Sequence, residues 1–249
     1  MLKILLSGAC GRMGHQVANL AEDEQAVISC GVDVHAEQWS DFPVFPSFSL
    51  VTKEADVIVD FSRPESLPAL LEYAKAHRLP VVLASTGYNE QDFAMICEAA
   101  KEIPVFRSAN LSLGVYVLKT LARQAAKLLP GFDIEIIEKH HNQKIDAPSG
   151  TALMLYDAVS NPDTVPVFGR NGRTQKREKN EIGIHAIRGG TVPGEHEVGF
   201  YGPSEVVTLS HSAQDRSIFA RGALRAANFI VKQSPGEYSM DDLADSLLK

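Results

Sequence analysis

The opening 33 residues constrain the fold most strongly, because they read as a strand, a glycine-rich turn, a helix and a second strand. Residues 2–6 are apolar except for Lys3 and predict a buried strand, and residues 26–32 predict another. Three glycines spaced three residues apart stand between them, at the start of a helical pattern. This order predicts a βαβ unit of a parallel sheet, with the helix beginning at the carboxyl end of the first strand.

The glycine-rich turn also indicates what this unit binds. Gly8, Gly11 and Gly14 would let the backbone approach a pyrophosphate at the helix N-terminus. Asp33 directly follows the second strand, where a carboxylate can accept hydrogen bonds from ribose hydroxyls. The spacing G-x-x-G-x-x-G is a variant of the commoner G-x-G-x-x-G. We therefore predict a dinucleotide site, with a nucleotide-free βαβ turn as the alternative.

Strand and helix patterns continue to alternate up to about residue 106, which predicts a doubly wound parallel sheet. Polar or small residues follow three of these strands, at 61–64, 84–87 and 108–111. In open α/β sheets the ligand crevice lies outside the carboxyl ends of the strands. We therefore expect these three loops to converge on the nucleotide, although each alone could be a simple turn.

The pattern changes after Asn110. A helix over 112–129 precedes four strands with alternating polarity, which predicts a sheet with one polar face. These strands are predicted at 132–138, 182–188, 195–201 and 205–211. The segment 168–180 is predicted to be a mobile loop in which Arg170, Arg173 and Lys176 are solvated charges.

Two domains are expected. The predicted fold class is α/β, with an N-terminal Rossmann-type doubly wound parallel sheet and an α+β domain that contains a mixed sheet. Residues 1–110 would form the dinucleotide-binding domain, completed by about 216–249, where a helix over 215–231 and the C-terminal residues 240–248 return to it. Residues 111–215 would form a substrate-binding and oligomerisation domain.

The segment 138–152 carries the residues best suited to chemistry. It contains two adjacent histidines and Lys144, which supply protons and positive charge. Ser149 is a good N-cap, and the amides of Gly150 and Thr151 would begin an apolar helix, so a carboxylate there would meet unpaired N–H groups. The combination predicts a site that holds an anionic substrate and gives it a proton. Taken singly, Ser149 could merely cap a structural helix.

Composition excludes several classes of protein. The net charge of −7, with no basic stripe, argues against nucleic acid as the main partner. The chain starts with a strand and has no long apolar run, so we expect neither a signal peptide nor a membrane span, and a cytoplasmic location. Cys10, Cys30 and Cys97 lack paired metal-ligand spacing, which favours reduced thiols and no metal site.

Motifs along nearly the whole chain resemble one family. They lie at 8–14, 61–64, 85–87, 110–112, 138–152 and 188–190 with 194–196. Together they are similar to those of the 4-hydroxy-tetrahydrodipicolinate reductases, long called dihydrodipicolinate reductases, of bacterial lysine and diaminopimelate synthesis. The run H-H-x-x-K-x-D-A-P-S-G-T-A at 140–152 is nearly diagnostic, whereas the glycine loop alone is not.

The resemblance implies a role for each matching residue. It implies that His140 and Lys144 are the proton donors. It also implies that the substrate is contacted by His141, Ser149, Gly150 and Thr151. It implies that the pyrophosphate lies on Gly8, Ala9, Cys10, Gly11, Arg12 and Met13, and the adenosine ribose on Asp33. The residues implied on the nicotinamide side are Ala84, Ser85, Thr86, Ser108, Ala109, Asn110 and Leu111.

The implied reaction is reduction of a small cyclic hydroxy-imine dicarboxylate by NADH or NADPH, with loss of water, in a homo-oligomer that is a tetramer in the family. The chain departs from the family pattern in having Cys10 and Ala84 where glycine is frequent, and no arginine after Asp33. The last departure leaves the choice between NADH and NADPH open. The sequence also leaves open which of His140 and Lys144 gives the proton.

Two competing hypotheses predict other features. A nucleotide-sensing regulatory protein would need no proton donor and would usually carry a basic or DNA-binding element. An amino-acid dehydrogenase of similar layout, such as one acting on aspartate, would not need the histidine–lysine run followed by P-S-G-T-A. Neither hypothesis explains residues 138–152.

Overall fold

The computed structural model describes residues 1–172 and 175–248. Its strands, in chain order, are β1 Leu2–Ser7, β2 Ala26–Val32, β3 Val44–Phe45, β4 Val57–Asp60, β5 Val81–Leu83, β6 Pro104–Arg107, β7 Asp133–His140, β8 Val165–Phe168, β9 Glu181–Arg188, β10 Gly194–Tyr201, β11 Val206–Ala213 and β12 Gly236–Tyr238. Its α-helices are α1 Arg12–Leu20, α2 Leu67–His77, α3 Glu90–Ala99, α4 Leu113–Leu128, α5 Gly150–Val159, α6 Ser217–Ile230 and α7 Met240–Leu247.

The chain forms two compact units. Residues 1–113 and the segment from Arg216 onward make the first unit, and residues 114–215 make the second. No helix in the described ranges combines the length and apolar character that crossing a bilayer requires.

The first unit is built on a seven-stranded sheet in the order β12-β6-β5-β4-β1-β2-β3. All of its strand pairs are parallel. Its central strands are continuous apolar runs with both faces covered, as parallel strands must be. α6 packs against β4, β5 and β6, and so closes this sheet with residues from the far end of the chain. The order reverses beside β1, which places the switch point between the carboxyl ends of β1 and β4.

The second unit is built on a mixed five-stranded sheet in the order β11-β10-β7-β9-β8. β7 is antiparallel to β10 and parallel to β9. One face of the sheet packs on α4 and α5 through Ile136, Val198, Leu118 and Leu155. α5 thereby lies across β7, so the start of this helix comes close to the end of that strand. The predicted fold class is confirmed.

Three short strands were not predicted from the sequence, namely β3, β8 and β12. Each is an edge strand of its sheet. The predicted loop 168–180 begins at the last residue of β8, and Arg170 is not simply solvated, because it pairs with Glu135 at 3.0 Å and with Glu181 at 2.7 Å. Lys176 remains exposed, whereas Arg173 lies outside the described residues.

Candidate active site

β7 carries Glu138 and His140 on the same face of the second sheet, because side chains two residues apart in a strand point the same way. That face packs under α5, so Glu138 is fully buried and His140 is 8% exposed. A carboxylate and an imidazole therefore lie where the strand pattern would otherwise place apolar side chains.

The carboxylate of Glu138 is surrounded by four N–H groups. His140 Nδ1 lies 2.5 Å from Oε2, and the Arg188 guanidinium donates to both oxygens at 2.8 and 2.7 Å. The Ser149 amide donates to Oε1 at 3.0 Å. Burial alone would raise the pKa of Glu138, but the hydrogen bonds from Arg188, His140 and Ser149 outweigh burial and hold the pKa below its ordinary value. Glu138 is therefore ionised at neutral pH.

Neighbouring groups have opposing effects on the pKa of His140. Burial lowers the pKa of His140, the hydrogen bond and charge of Glu138 raise it, and the charges of Lys144 and Arg188 lower it again. The net direction is downward from the ordinary imidazole value. The unliganded protein therefore holds His140 mainly neutral at neutral pH, close to two cationic side chains.

The turn that follows β7 contains Lys144. Its ammonium group lies 2.8 Å from the carboxylate of Asp146, and its backbone amide donates to the carbonyl of His141 at 3.2 Å. The His141 amide donates to the Val192 carbonyl at 2.8 Å, which holds the turn to the segment between β9 and β10. The turn ends in a cis peptide bond between Ala147 and Pro148. Lys144 is part-buried, so its charge is only partly screened by solvent.

Ser149 caps α5, as predicted. Its hydroxyl accepts from the Ala152 amide at 3.2 Å and also lies 3.2 Å from His196 Nε2. A Cβ on Gly150 would meet no atom within 4 Å, so the space in front of this helix start is open. An anion there would meet the positive end of the helix dipole.

His196 lies beside this cap on β10, 5% exposed, with its ring centre 5.2 Å from that of His140. Burial first, and the charge of the neighbouring His140 second, lower the pKa of His196 to about 4. Its Nδ1 atom is buried and finds no hydrogen-bond partner among the described residues. His196 is thus a neutral ring at physiological pH.

The glycine-rich loop of the first unit has the shape that a pyrophosphate requires. Gly8 has φ +76°, and a Cβ there would lie 2.8 Å from the carbonyl carbon of Phe61. A Cβ on Gly14 would lie 2.4 Å from the carbonyl oxygen of Gly8. α1 begins after Gly11 without a side-chain cap, so its first amides are available to a ligand. The residues present therefore fit a dinucleotide phosphate.

Asp33 lies against this loop. Its Oδ2 accepts from the Cys10 amide at 3.0 Å, and its Oδ1 accepts from the His35 amide at 3.0 Å. These bonds fix the carboxylate at the end of β2, and Val34 beside it is 82% exposed and carries no charge. The contact of the Asp33 carboxylate with ribose hydroxyls remains a prediction.

The remaining predicted cofactor residues follow β5 and β6, whose carboxyl ends lie at the same edge of the sheet as the ends of β1 and β4. Ser85 Oγ lies 2.9 Å from Asp60 Oδ2. Burial raises the pKa of Asp60 above its ordinary value, although hydrogen bonds from Ser62, Ser7 and Ser85 act to lower it. The second loop is held by Ser108 Oγ, which donates to the Asn110 carbonyl at 2.7 Å. Other predicted residues of these two loops are Ala84, Thr86, Ala109 and Leu111.

The predicted residues thus separate by unit. The predicted cofactor residues all lie in the first unit, and His140, His141, Lys144, Ser149, Gly150 and Thr151 all lie in the second. Sequence reasoning assigned no role in the site to Glu138, Arg188, His196 or Asp60. For Glu138 a signal existed, because this glutamate stands in phase with the apolar residues Ile134 and Ile136. Among the described residues, no cluster of histidine, cysteine and acidic side chains could hold a metal ion.

Two family models match the chain. The N-terminal model of dihydrodipicolinate reductase matches residues 2–111, and the C-terminal model matches residues 114–244. The chain belongs to the dihydrodipicolinate reductase family. This membership confirms the resemblance inferred from the motifs.

Relatives within the family are similar over their full length. A 4-hydroxy-tetrahydrodipicolinate reductase of Caldanaerobacter subterraneus is 51% identical over 249 residues, which cover 98% of both chains. One of Clostridium novyi is 45% identical, with 99% of both chains covered. In fold, the chain is similar to a dipicolinate-bound dihydrodipicolinate reductase of Paenisporosarcina sp. TG-14, with a TM-score of 0.79, 22% identity, and 96% and 97% of the two chains covered.

Proposed function

We propose that the protein reduces 4-hydroxy-tetrahydrodipicolinate to tetrahydrodipicolinate, with loss of water, in lysine and diaminopimelate biosynthesis. Family membership over both halves of the chain supports this reaction. The observation that carries the proposal is the second-unit site, in which His140 ends β7, Lys144 lies in the turn that follows, and that turn leads into the open start of α5. An imine dicarboxylate needs both a grip on its carboxylates and a source of protons, and this turn provides both.

Reduced pyridine nucleotide supplies the hydride. We assign the pyrophosphate to the loop 8–13, whose glycines leave room for it, and the adenosine ribose to Asp33. The residues 84–86 and 108–111 flank the nicotinamide side at the carboxyl edge of the sheet.

The substrate carries two carboxylates. The amides of Gly150 and Thr151 begin α5 and hold one carboxylate with help from the helix dipole and the Ser149 cap. His141 contacts the substrate, and the Lys144 ammonium balances its negative charge. These donors are fixed by the fold before substrate arrives, which reduces the cost of reorganisation.

Protonation completes the reaction. Loss of the 4-hydroxyl group as water, with a proton from the ring carbon next to the imine carbon, first gives the conjugated imine. Hydride addition at the carbon that carried the hydroxyl then leaves an electron pair on the enamine carbon, and a proton from His140 or Lys144 forms the new C–H bond there. A cationic donor beside the carboxylate grip also stabilises the developing negative charge. The donor then regains its proton from solvent.

The activity is tested by incubating the purified protein with freshly synthesised 4-hydroxy-tetrahydrodipicolinate and either NADH or NADPH. Loss of the absorbance of the reduced nucleotide that depends on both components is the expected result. No such loss with either nucleotide, in protein shown to bind nucleotide, would contradict the proposal.

The roles of His140 and Lys144 are tested by replacing each with alanine. We expect His140→Ala and Lys144→Ala each to lower kcat by roughly 10²- to 10⁴-fold, because a general acid contributes about that much. Nucleotide affinity, measured by calorimetry, should stay nearly unchanged, since the nucleotide residues belong to the other unit. If kcat in both variants stays within a few-fold of the unmodified protein, neither residue takes part.

We further propose the domain roles and the assembly. Residues 1–110 with 216–249 form the dinucleotide-binding domain, and 111–215 the substrate-binding and oligomerisation domain of a cytoplasmic homotetramer. Exposed apolar side chains on the strands of the second sheet, such as Ile187, Tyr201 and Val206, support an interface there. Light scattering after gel filtration should give four times the chain mass. A monomer would contradict this assembly.

A further inference from the structure

Glu138 contacts both parts of the second-unit site, namely the proposed proton donor and the start of the proposed substrate-binding helix. Its carboxylate binds the imidazole of His140 and, through its other oxygen, the amide of Ser149 that precedes α5. We propose that Glu138 is a positioning residue, which fixes His140 in the tautomer with the proton on Nδ1 and ties this ring to the start of the substrate-binding helix. The inference rests on the proposed function for the role of His140, but the tautomer itself is independent of any substrate.

The donors around Glu138 permit only a carboxylate at this position. Oε2 accepts from His140 Nδ1 and Arg188 Nη1, and Oε1 accepts from the Ser149 amide and Arg188 Nη2. A guanidinium group and a backbone N–H group cannot accept hydrogen bonds. A side-chain amide would direct its NH₂ group toward two of these donors in either orientation, so it would leave buried donors unpaired or turn the imidazole.

The tautomer decides which atom of His140 exchanges protons with a ligand. Because an ionised Glu138 only accepts, the neutral imidazole must carry its proton on Nδ1. Nε2 is then the atom that gains a proton and gives it away. On the Nε2 side stands Gly194, where a Cβ would lie only 3.0 Å from that atom, so the chain there has a residue without a side chain.

Arg188 extends the same arrangement to the turn. The guanidinium group of Arg188 donates to both oxygens of Glu138, and its Nη2 atom also donates to the Asp146 carbonyl at 2.6 Å. Glu138 therefore fixes the ring of His140, the start of α5 and, through Arg188, the turn that carries Lys144. The charged and titratable groups that face His140 are Glu138 on β7, Arg188 on β9, His196 on β10 and Lys144 in the turn.

The test compares Glu138→Gln with Glu135→Gln. Glu135 is a matched control, because it lies three residues earlier on β7 and, like Glu138, it accepts from arginine and histidine side chains, here Arg170, Arg177 and His185. Arg170 and Arg177 lie in the segment between β8 and β9, His185 lies on β9, and none of the three contacts the site. We expect Glu138→Gln to lower kcat by about 100-fold, because loss of the hydrogen-bond partner of a catalytic histidine commonly has an effect of this size. The kcat of Glu135→Gln should stay within about threefold of that of the unmodified protein.

A spectroscopic measurement separates positioning from a general structural effect. Long-range ¹H–¹⁵N spectra of the histidine rings, with His140 assigned from His140→Gln, should show the proton on Nδ1 at about pH 8, where imidazole is neutral. Glu138→Gln should shift this proton to Nε2 or populate both tautomers. Glu135→Gln should leave the His140 signals unchanged.

The pH profile gives a second readout. Glu138 raises the pKa of His140 by its hydrogen bond and its charge, so removing that charge should lower the pKa. The limb of kcat/KM that falls as His140 loses its proton should therefore move to lower pH in Glu138→Gln. Nucleotide KM should not change, because the nucleotide residues lie in the first unit.

Glu138→Asp keeps the test decisive if Glu138→Gln folds poorly. A shorter carboxylate still only accepts, so Glu138→Asp should retain the Nδ1 tautomer and at least about tenfold more kcat than Glu138→Gln. An unchanged His140 tautomer in folded Glu138→Gln, or a tautomer lost equally in Glu138→Asp, overturns the inference. An unmodified protein with the Nδ1 tautomer but no reductase activity would instead overturn the proposed function alone.

Discussion

Gly194 lies beside Nε2 of His140, the atom proposed to exchange the proton. A Cβ at this position would lie 3.0 Å from His140 Nε2 and 3.4 Å from its Cδ2. Contacts this short require the ring to move by a few tenths of an ångström, and its bond to Glu138 opposes that movement. We expect Gly194→Ala to lower kcat by about tenfold or more, since small misplacements of catalytic groups are costly.

Gly189→Ala is the control for Gly194→Ala. Gly189 belongs to the neighbouring turn, and a Cβ there would meet no atom within 4 Å. Its amide, which donates to the His140 carbonyl at 3.0 Å, is retained in alanine. Steady-state kinetics should show kcat close to that of the unmodified protein. Equal kcat in the two variants would show that the space beside Nε2 is not needed.

The side chains of Asp33 and Val34 lead to a prediction about the preference between NADH and NADPH. A 2′-phosphate on the adenosine ribose would be repelled by the Asp33 carboxylate, and Val34 has no guanidinium to bind it. NADH should therefore be used at least as well as NADPH, and Val34→Arg should raise kcat/KM for NADPH by about tenfold, equivalent to one charge-assisted contact. A tenfold or larger preference of the unmodified protein for NADPH contradicts this reading of Asp33.

At the scale of elements, the start of α5 can be tested without disturbing the helix. Proline is well accepted at the first helical position, and Ser149 already has the extended backbone, φ −69° and ψ 154°, that a residue before proline needs. Gly150→Pro removes one amide donor, whereas Gly150→Ala keeps it and adds a methyl group in open space. We expect Gly150→Pro to weaken the binding of pyridine-2,6-dicarboxylate by about ten- to a hundredfold. Gly150→Ala should change this affinity little.

The measurement is calorimetric titration of the dicarboxylate into each variant preloaded with reduced nucleotide, with circular dichroism as the check on folding. Similar affinities for Gly150→Pro and Gly150→Ala would mean that this helix start is structural only. A loss in both variants would point instead to steric exclusion of the ligand.

The long elements could be predicted from the sequence, because each buries an apolar face that repeats with the period of its structure. The strands β3, β8 and β12 could not, since they have only two, four and three residues and lie at sheet edges, where one side lacks a partner. Within the site, the turn at 140–151 was accessible from residue types alone. The part played by Glu138 was not, because its phase with Ile134 and Ile136 indicates only a buried side chain, whereas its contacts depend on how β9 and α5 pack against β7.

At the scale of the whole molecule, the residues proposed to hold the nucleotide and those proposed to hold the substrate lie in different units. The first unit contains the opening 113 residues and is completed by the segment after residue 215, so its sheet gains β12 and its helical cover gains α6 only when this C-terminal segment is in place. The second unit is continuous. A truncation before α6 should therefore disturb the nucleotide site more than the second-unit site.

Buried neutral histidines make the stability of the molecule depend on pH. The pKa of His196 falls from its ordinary 6.5 to about 4 through burial first and the charge of His140 second, and burial also lowers the pKa of His211. Below pH 6.5 the unfolded chain protonates residue 196 and the folded chain does not, so stability is complete above pH 6.5 and is lost as the pH falls toward about 4. Between pH 6.5 and about pH 5 the loss from His196 is about 2 kcal/mol, or about 4–8 °C in Tm. Thermal unfolding followed by circular dichroism at both pH values should show a smaller acid-induced drop in His196→Gln than in the unmodified protein, whereas equal drops would mean that His196 does not supply this pH dependence.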